Sequence, residues 1–272
     1  MHFASARRLD DGVLEREFIL GEIPGTLWTP ESASTSDSTS DSSFTPAPLI
    51  LLGHPGGLHK MHPRLLGRAR QCAAEGFAAA TIELPGSGDR PRSPVAEQAR
   101  ADLRRALEAG EPVGEDIVDR LVLPLVDKAV PEWQATLDAL LALPEIADGP
   151  VGYSGGVISI AIRLALVEPR IAAAVLFAGS FMPRVTYEDA RRLTLPLHVL
   201  LQWDDEGNDR QAALELFDAF ASEEKTLHAN MGGHTGVPQF AGEAAARFLT
   251  RHLRQGRASR DGTEAGAGAG AA

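Results

Sequence analysis

The chain has 272 residues, 44% of them hydrophobic, with a formal net charge of -11. That is enough for one substantial core and too little for two comfortable domains. An acidic balance with no basic cluster argues against nucleic acid or an anionic membrane as partner, and no apolar run reaches membrane-spanning length.

The opening, MHFASARRLDDG, has no apolar stretch behind its arginines and does not read as a secretory signal, so a cytoplasmic location is expected. LEREFIL and IPGTLWTP predict the two strands of a hairpin joined at Gly21. Residues 31–48, ESASTSDSTSDSSFTPAP, lack the apolar content to pack and are expected to be a mobile surface loop. Leu49 to Leu52 predict a buried strand running into GHPGG. Arg64 to Glu75 predict a helix closed by Gly76, with Cys72 on its core face. As the single cysteine it cannot form an internal disulfide, which suits a reducing compartment.

FAAATIEL predicts the next buried strand, ending in PGSGDRPR. Unbroken apolar strands alternating with helices imply a parallel sheet covered on both faces. Residues 94–147 predict three helices, Val95 to Ala109, Glu115 to Ala129 and Glu132 to Leu143, divided by Gly110, Pro112, Gly114 and Pro131. One helix suffices to cross between parallel strands, so 94–130 reads as an insertion that caps a cleft or mediates a homodimer. Further on, IAAAVLFAG, LHVLLQW and KTLHANM predict strands, and RQAALELFDAF and FAGEAAARFLTRHL predict helices. From about residue 255 the tail, ending AGAGAGAA, has no periodicity and is expected to be disordered, leaving residues 1–254 as one domain.

Gly152-Tyr153-Ser154-Gly155-Gly156 stands between the short stretch Gly149-Pro150-Val151 and the apolar run VISIAIRLALV. A Gly-x-Ser-x-Gly between strand and helix is the signature of a tight elbow that pushes a serine hydroxyl into a cleft. That hydroxyl is a poor nucleophile without an adjacent base. His234, in Met231-Gly232-Gly233-His234 after the last predicted strand, stands where such a base is expected. The acid should follow the preceding strand, where the chain reads Trp203-Asp204-Asp205-Glu206. Asp205 is favoured by its turn position, with Asp204 and then Glu206 as alternatives. An oxyanion hole needs backbone N–H donors. Gly155 follows the serine, and Gly56 follows Pro55, which has no N–H; Gly57 is in reserve.

With these pieces, LLGHPGG, GFAAATIELPGSG, ATLDALLALPEIADGPVGYSGG, LLQWDDEGNDR and MGGH, the chain resembles the α/β-hydrolase superfamily from about residue 13 to 254, and more narrowly its dienelactone-hydrolase-like serine members. The resemblance implies an α/β fold with a mostly parallel eight-stranded sheet, helices on both faces and an insertion before the nucleophile strand. It also implies metal-free, cofactor-free catalysis, with Ser154 as nucleophile, His234 as base and Asp205 as its orienter. Proline in place of the usual glycine after His54 is a departure. So is the short strand before the elbow.

The expected activity is cleavage of a small-molecule ester or related acyl bond. The alternatives are a ligand-binding or scaffold protein on the same fold, or a C–C bond or peptide hydrolase with the same triad. His54, His59 and His62 have no local carboxylate to complete a metal site. GHPGGLHK lacks the Gly-Lys-Ser/Thr of a phosphate loop. Trp203, Tyr153, Met61, Phe181 and Met182 are candidates to line an acyl pocket.

Overall fold

The computed structural model describes residues 1–33, 45–177, 179 and 181–267, with backbone alone for Ser32 and 255–267. Most of the segment expected to be a mobile loop, residues 34–44, lies outside the described residues.

The strands are β1 (His2–Arg8), β2 (Leu14–Leu20), β3 (Ile23–Thr29), β4 (Leu49–Gly53), β5 (Ala78–Ile82), β6 (Val151–Gly155), β7 (Ile171–Phe177), β8 (Leu197–Gln202) and β9 (Lys225–Asn230). They form one sheet in the order β1-β2-β3-β5-β4-β6-β7-β8-β9. From β5 to β9 the pairings are parallel, and β1, β2 and β3 form an antiparallel meander that joins β5.

The sheet has nine strands, not eight. The extra one, β1, is exposed along its whole length and hydrogen-bonds at the edge through its backbone. HFASARR therefore carries no apolar alternation for a sequence to reveal.

The helices are α1 (Leu58–Ala74), α2 (Pro94–Ala109), α3 (Glu115–Leu141), α4 (Ile158–Val167), α5 (Arg184–Ala190), α6 (Arg210–Ala219) and α7 (Gln239–Ala267). Strand alternation sorts the core into two layers. Leu49 and Leu51 of β4 face the layer under α3, α4 and α6, while Ile50 and Leu52 face the layer under α1 and α7.

Two helices depart from expectation for one reason. Helix α1 begins at Leu58 and runs through Pro63, and α3 is one helix through Pro124 and Pro131 where two helices are expected. All three prolines are exposed, so the carbonyls that lose a partner reach water. The opposite face of α3, including Val126, Trp133, Leu137 and Leu140, is buried and holds the helix together. At the far end, the backbone of α7 stays helical over 255–267, where no periodic structure is expected.

Candidate active site

Ser154 lies near the C-terminal end of β6, level with Leu52 of β4 on one side and Val175 of β7 on the other. The sharp turn falls later than the elbow motif implies. Ser154 stays in extended strand, and it is Gly155 that takes a positive φ of 128°. A Cβ at 155 would collide with the Gly53 carbonyl, and one at Gly53 would collide with the Tyr153 hydroxyl and the Gly156 carbonyl. The glycines are thus required by backbone approach between β4 and β6. Helix α4 follows at once, with Ile158, Ile160, Ala161, Ile162 and Leu164 all buried.

His234 sits in the loop between β9 and α7. Gly232, at φ 134°, turns that loop, and Gln202 ties it down by donating from Nε2 to the Gly233 carbonyl at 3.3 Å. Asp205 is brought beneath the imidazole by the turn after β8. Its Oδ2 accepts from His234 Nδ1 at 2.8 Å, and its Oδ1 accepts the Gly207 N–H at 2.9 Å. Asn208 also donates to Oδ2. Burial pushes the Asp205 carboxyl up, but these bonds outweigh it and hold the pKa below its ordinary value. Of the three consecutive acids, Asp205 is buried, whereas Asp204 and Glu206 are exposed. Donation from Nδ1 fixes the tautomer, leaving the Nε2 lone pair for a proton.

Ser154 and His234 line one cavity of about 610 Å³, with Gly155 and Pro55 beside them. The hydrogen bond to Ser154 Oγ comes, however, from Arg68 Nη2, at 2.9 Å. Arg68 also donates to the carbonyls of Ser154 and Gly53, the latter at 3.1 Å. Among the described residues its guanidinium has no carboxylate partner, and burial pulls its pKa down. A serine hydroxyl that accepts from Arg68 keeps its own proton free to give to a base.

Sequence reasoning missed Arg68. The available signal is the α1 stripe Met61, Leu65, Arg68, Cys72, in which one arginine takes a core-facing position.

Gly57 caps α1, and neither it nor Gly56 is among the residues that line the cavity. The N–H groups of Gly56 and Gly57 have no hydrogen-bond partner among the described residues. Gly155 is paired opposite Gly53 and Leu176. His54 is buried and its Nε2 bonds the Ile82 carbonyl at 2.9 Å, which anchors this loop to β5; burial lowers its pKa and keeps the ring neutral.

Met61, Phe181 and Met182 line the cavity as expected. Phe181, at φ 57°, is the one non-glycine residue with positive φ among those described. Two other aromatic candidates lie elsewhere. Tyr153 is buried against Trp133 with ring centroids 6.3 Å apart, and Trp203 is exposed under the Arg210 guanidinium. His62 bonds Glu15 at 2.8 Å, away from Ser154, and among the described residues no group of three His, Cys, Asp or Glu is placed to hold a metal ion. No helix among the described residues is long and apolar enough to cross a membrane.

No protein-family model and no curated protein matches the sequence. Solved structures do resemble it. A cold-adapted esterase from an Arctic intertidal metagenomic library, in its PEG-bound complex, is 26% identical, with a TM-score of 0.69 over 93% of this chain and 100% of that one. An acetyl xylan esterase from a Paenibacillus species is 13% identical, with a TM-score of 0.61 over 93% and 88%. A Pyrococcus furiosus esterase is 12% identical, with a TM-score of 0.58 over 89% and 90%. The architecture is the α/β-hydrolase fold.

Proposed function

We propose that the protein is a serine hydrolase that cleaves a carboxylic ester of a small molecule through an acyl-enzyme. The carrying observation is the Asp205–His234 hydrogen bond at the rim of the cavity that Ser154 also lines. The esterase activity named for the Arctic structure supports ester hydrolysis over C–C bond or peptide cleavage. The dienelactone-hydrolase-like assignment within the superfamily rests on the conjunction of LLGHPGG, GFAAATIELPGSG, ATLDALLALPEIADGPVGYSGG, LLQWDDEGNDR and MGGH.

In this reading His234 Nε2 takes the proton of Ser154, and Oγ attacks the acyl carbonyl. The tetrahedral oxyanion is met by backbone N–H groups, Gly56 and Gly155 being the proposed donors. His234 then protonates the leaving alcohol and activates water for deacylation. His234 is 67% exposed, so its ring is free to close on Ser154 once substrate covers it. Arg68 sets a positive charge beside Oγ and favours the alkoxide.

The Arg68 contact also gives specific support to a second reading. In that reading Ser154 Oγ stays bonded to the guanidinium and the protein holds a ligand without cleaving it. Labelling with a fluorophosphonate, read by intact mass, decides between them. One adduct on the native chain and none on Ser154→Ala supports the hydrolase. A folded protein that takes up no label favours the binding protein.

A further inference from the structure

The cavity at Ser154 does not stop at the rim of the sheet. It continues down between the sheet and helices α1 and α7, through the second core layer. Its walls there include Ile50, Val175 and Leu200 from the sheet, Cys72 from α1, and Ala245 and Leu249 from α7. Cys72 and Arg68 both line this space and are half-buried. Protein cores leave few voids larger than a water molecule. A volume of 610 Å³ is instead that of a small-molecule site.

The depth follows from the sheet register. Ser154 is level with Leu52, while Phe77, on the floor, directly precedes Ala78, which is level with Leu49. The three residues from Leu52 to Leu49 amount to about 10 Å of strand, and Phe77 lies one residue beyond. From Arg68 to Glu75 along α1 is also about 10 Å. The floor is closed by Arg254, whose guanidinium lies over the Phe77 ring at 5.5 Å and donates to the Glu75 carbonyl.

We infer that this channel, which meets solvent beside Gln71 and Glu75, receives the acyl chain of the substrate, which makes the substrate an ester of a medium-length, unbranched fatty acid. The inference rests on the hydrolase reading for its chemistry. The acyl carbonyl stays level with Ser154, the chain runs down between α1 and α7, and its length is limited by Phe77. After deacylation the carboxylate of the released acid stands beside the Arg68 guanidinium, which has no carboxylate partner among the described residues.

The test uses p-nitrophenyl esters from acetyl through octanoyl to dodecanoyl on the full chain. kcat/KM should rise at least tenfold from acetyl to octanoyl and fall back for dodecanoyl. Cys72→Phe, which fills the channel at mid-depth, should lower the octanoyl-to-acetyl ratio at least tenfold. Leu249→Ala, which deepens it, should move the optimum to longer chains. A flat or falling native profile overturns the inference, as do folded Cys72→Phe and Leu249→Ala variants with the native profile.

Binding of octanoate to Ser154→Ala, followed by calorimetry, needs no turnover and separates the two readings. Binding that is lost on adding Cys72→Phe supports the channel even if no ester is cleaved. Absence of binding overturns the channel even if acetyl esters are cleaved.

Discussion

Asp205 is 3% exposed and His234 67%, so the ion-pair partner that never meets substrate is the fixed one and the ring that must move is the free one. Three donors converge on the Asp205 carboxylate, and only one of them is the imidazole. Asp205→Asn would therefore keep the turn but offer an amide that can present its N–H to Nδ1 and reverse the histidine tautomer. Ester turnover by Asp205→Asn should fall on the order of 10³ to 10⁴, with folding retained by circular dichroism. Exposed Asp204→Asn should stay within a few-fold of native activity. The opposite ranking in a steady-state assay would mean that Asp204 orients the base. From sequence alone the three acids differ only in turn position. What separates them in the fold is burial, and burial depends on β8 and α6 meeting at that turn.

At the scale of elements, α3 does more than cross over the sheet. Its Trp133 is buried edge-on against Tyr153, the residue before Ser154, and its Val122 reaches the cavity wall. Trp133→Ala should cost about 3–5 kcal/mol, as large buried aromatics do, measured by urea unfolding. It should also loosen β6 beside the nucleophile, so ester kcat should drop with it. Full native stability in that variant would show that the cavity collapses without strain.

Strands β4, β5, β7 and β8 and helix α4 were legible in the sequence because they leave unbroken apolar runs, whereas β6 was legible only through the Gly-x-Ser-x-Gly motif and β9 only by its place before His234. Strand β1 was not, since a strand exposed on both faces is held by backbone bonds that any side chain permits. Nor was the continuity of α3: Pro131 breaks a helix only when the freed carbonyl has no water, and that depends on which face packs. Arg68 stood among Arg64 and Arg70 on one helix, and only the fold turns it alone toward Ser154.

For the whole molecule, three histidines with lowered pKa values pull stability down as the pH falls, while the Glu83 carboxyl, pushed up by burial, works the other way. Burial lowers the pKa values of His54, His198 and His252 from the ordinary 6.5. The unfolded chain then binds protons that the folded one refuses, so stability is full above 6.5 and is lost as the pH falls from there toward the folded values. The depressed Asp205 adds a second loss only further down, as the pH falls below the ordinary carboxylate range. Tm should thus be lower at about pH 5.5 than at about pH 7.5, by about 2–4 °C for each kcal/mol lost. His54→Gln, which keeps a donor for the Ile82 carbonyl, should flatten that slope. Identical slopes in a calorimetric scan would rule out His54 as a contributor.

The sheet order has a consequence for how the molecule wears out. Ser154 belongs to an interior strand with neighbours on both sides, whereas His234 follows β9, the edge strand, whose residues are mostly only half-covered. Amide exchange with solvent should therefore be slower around the nucleophile than around its base. Warming detunes the reaction from the rim inward. On heating, activity should be lost before the circular-dichroism signal of the sheet, and coincident loss of the two would overturn this order.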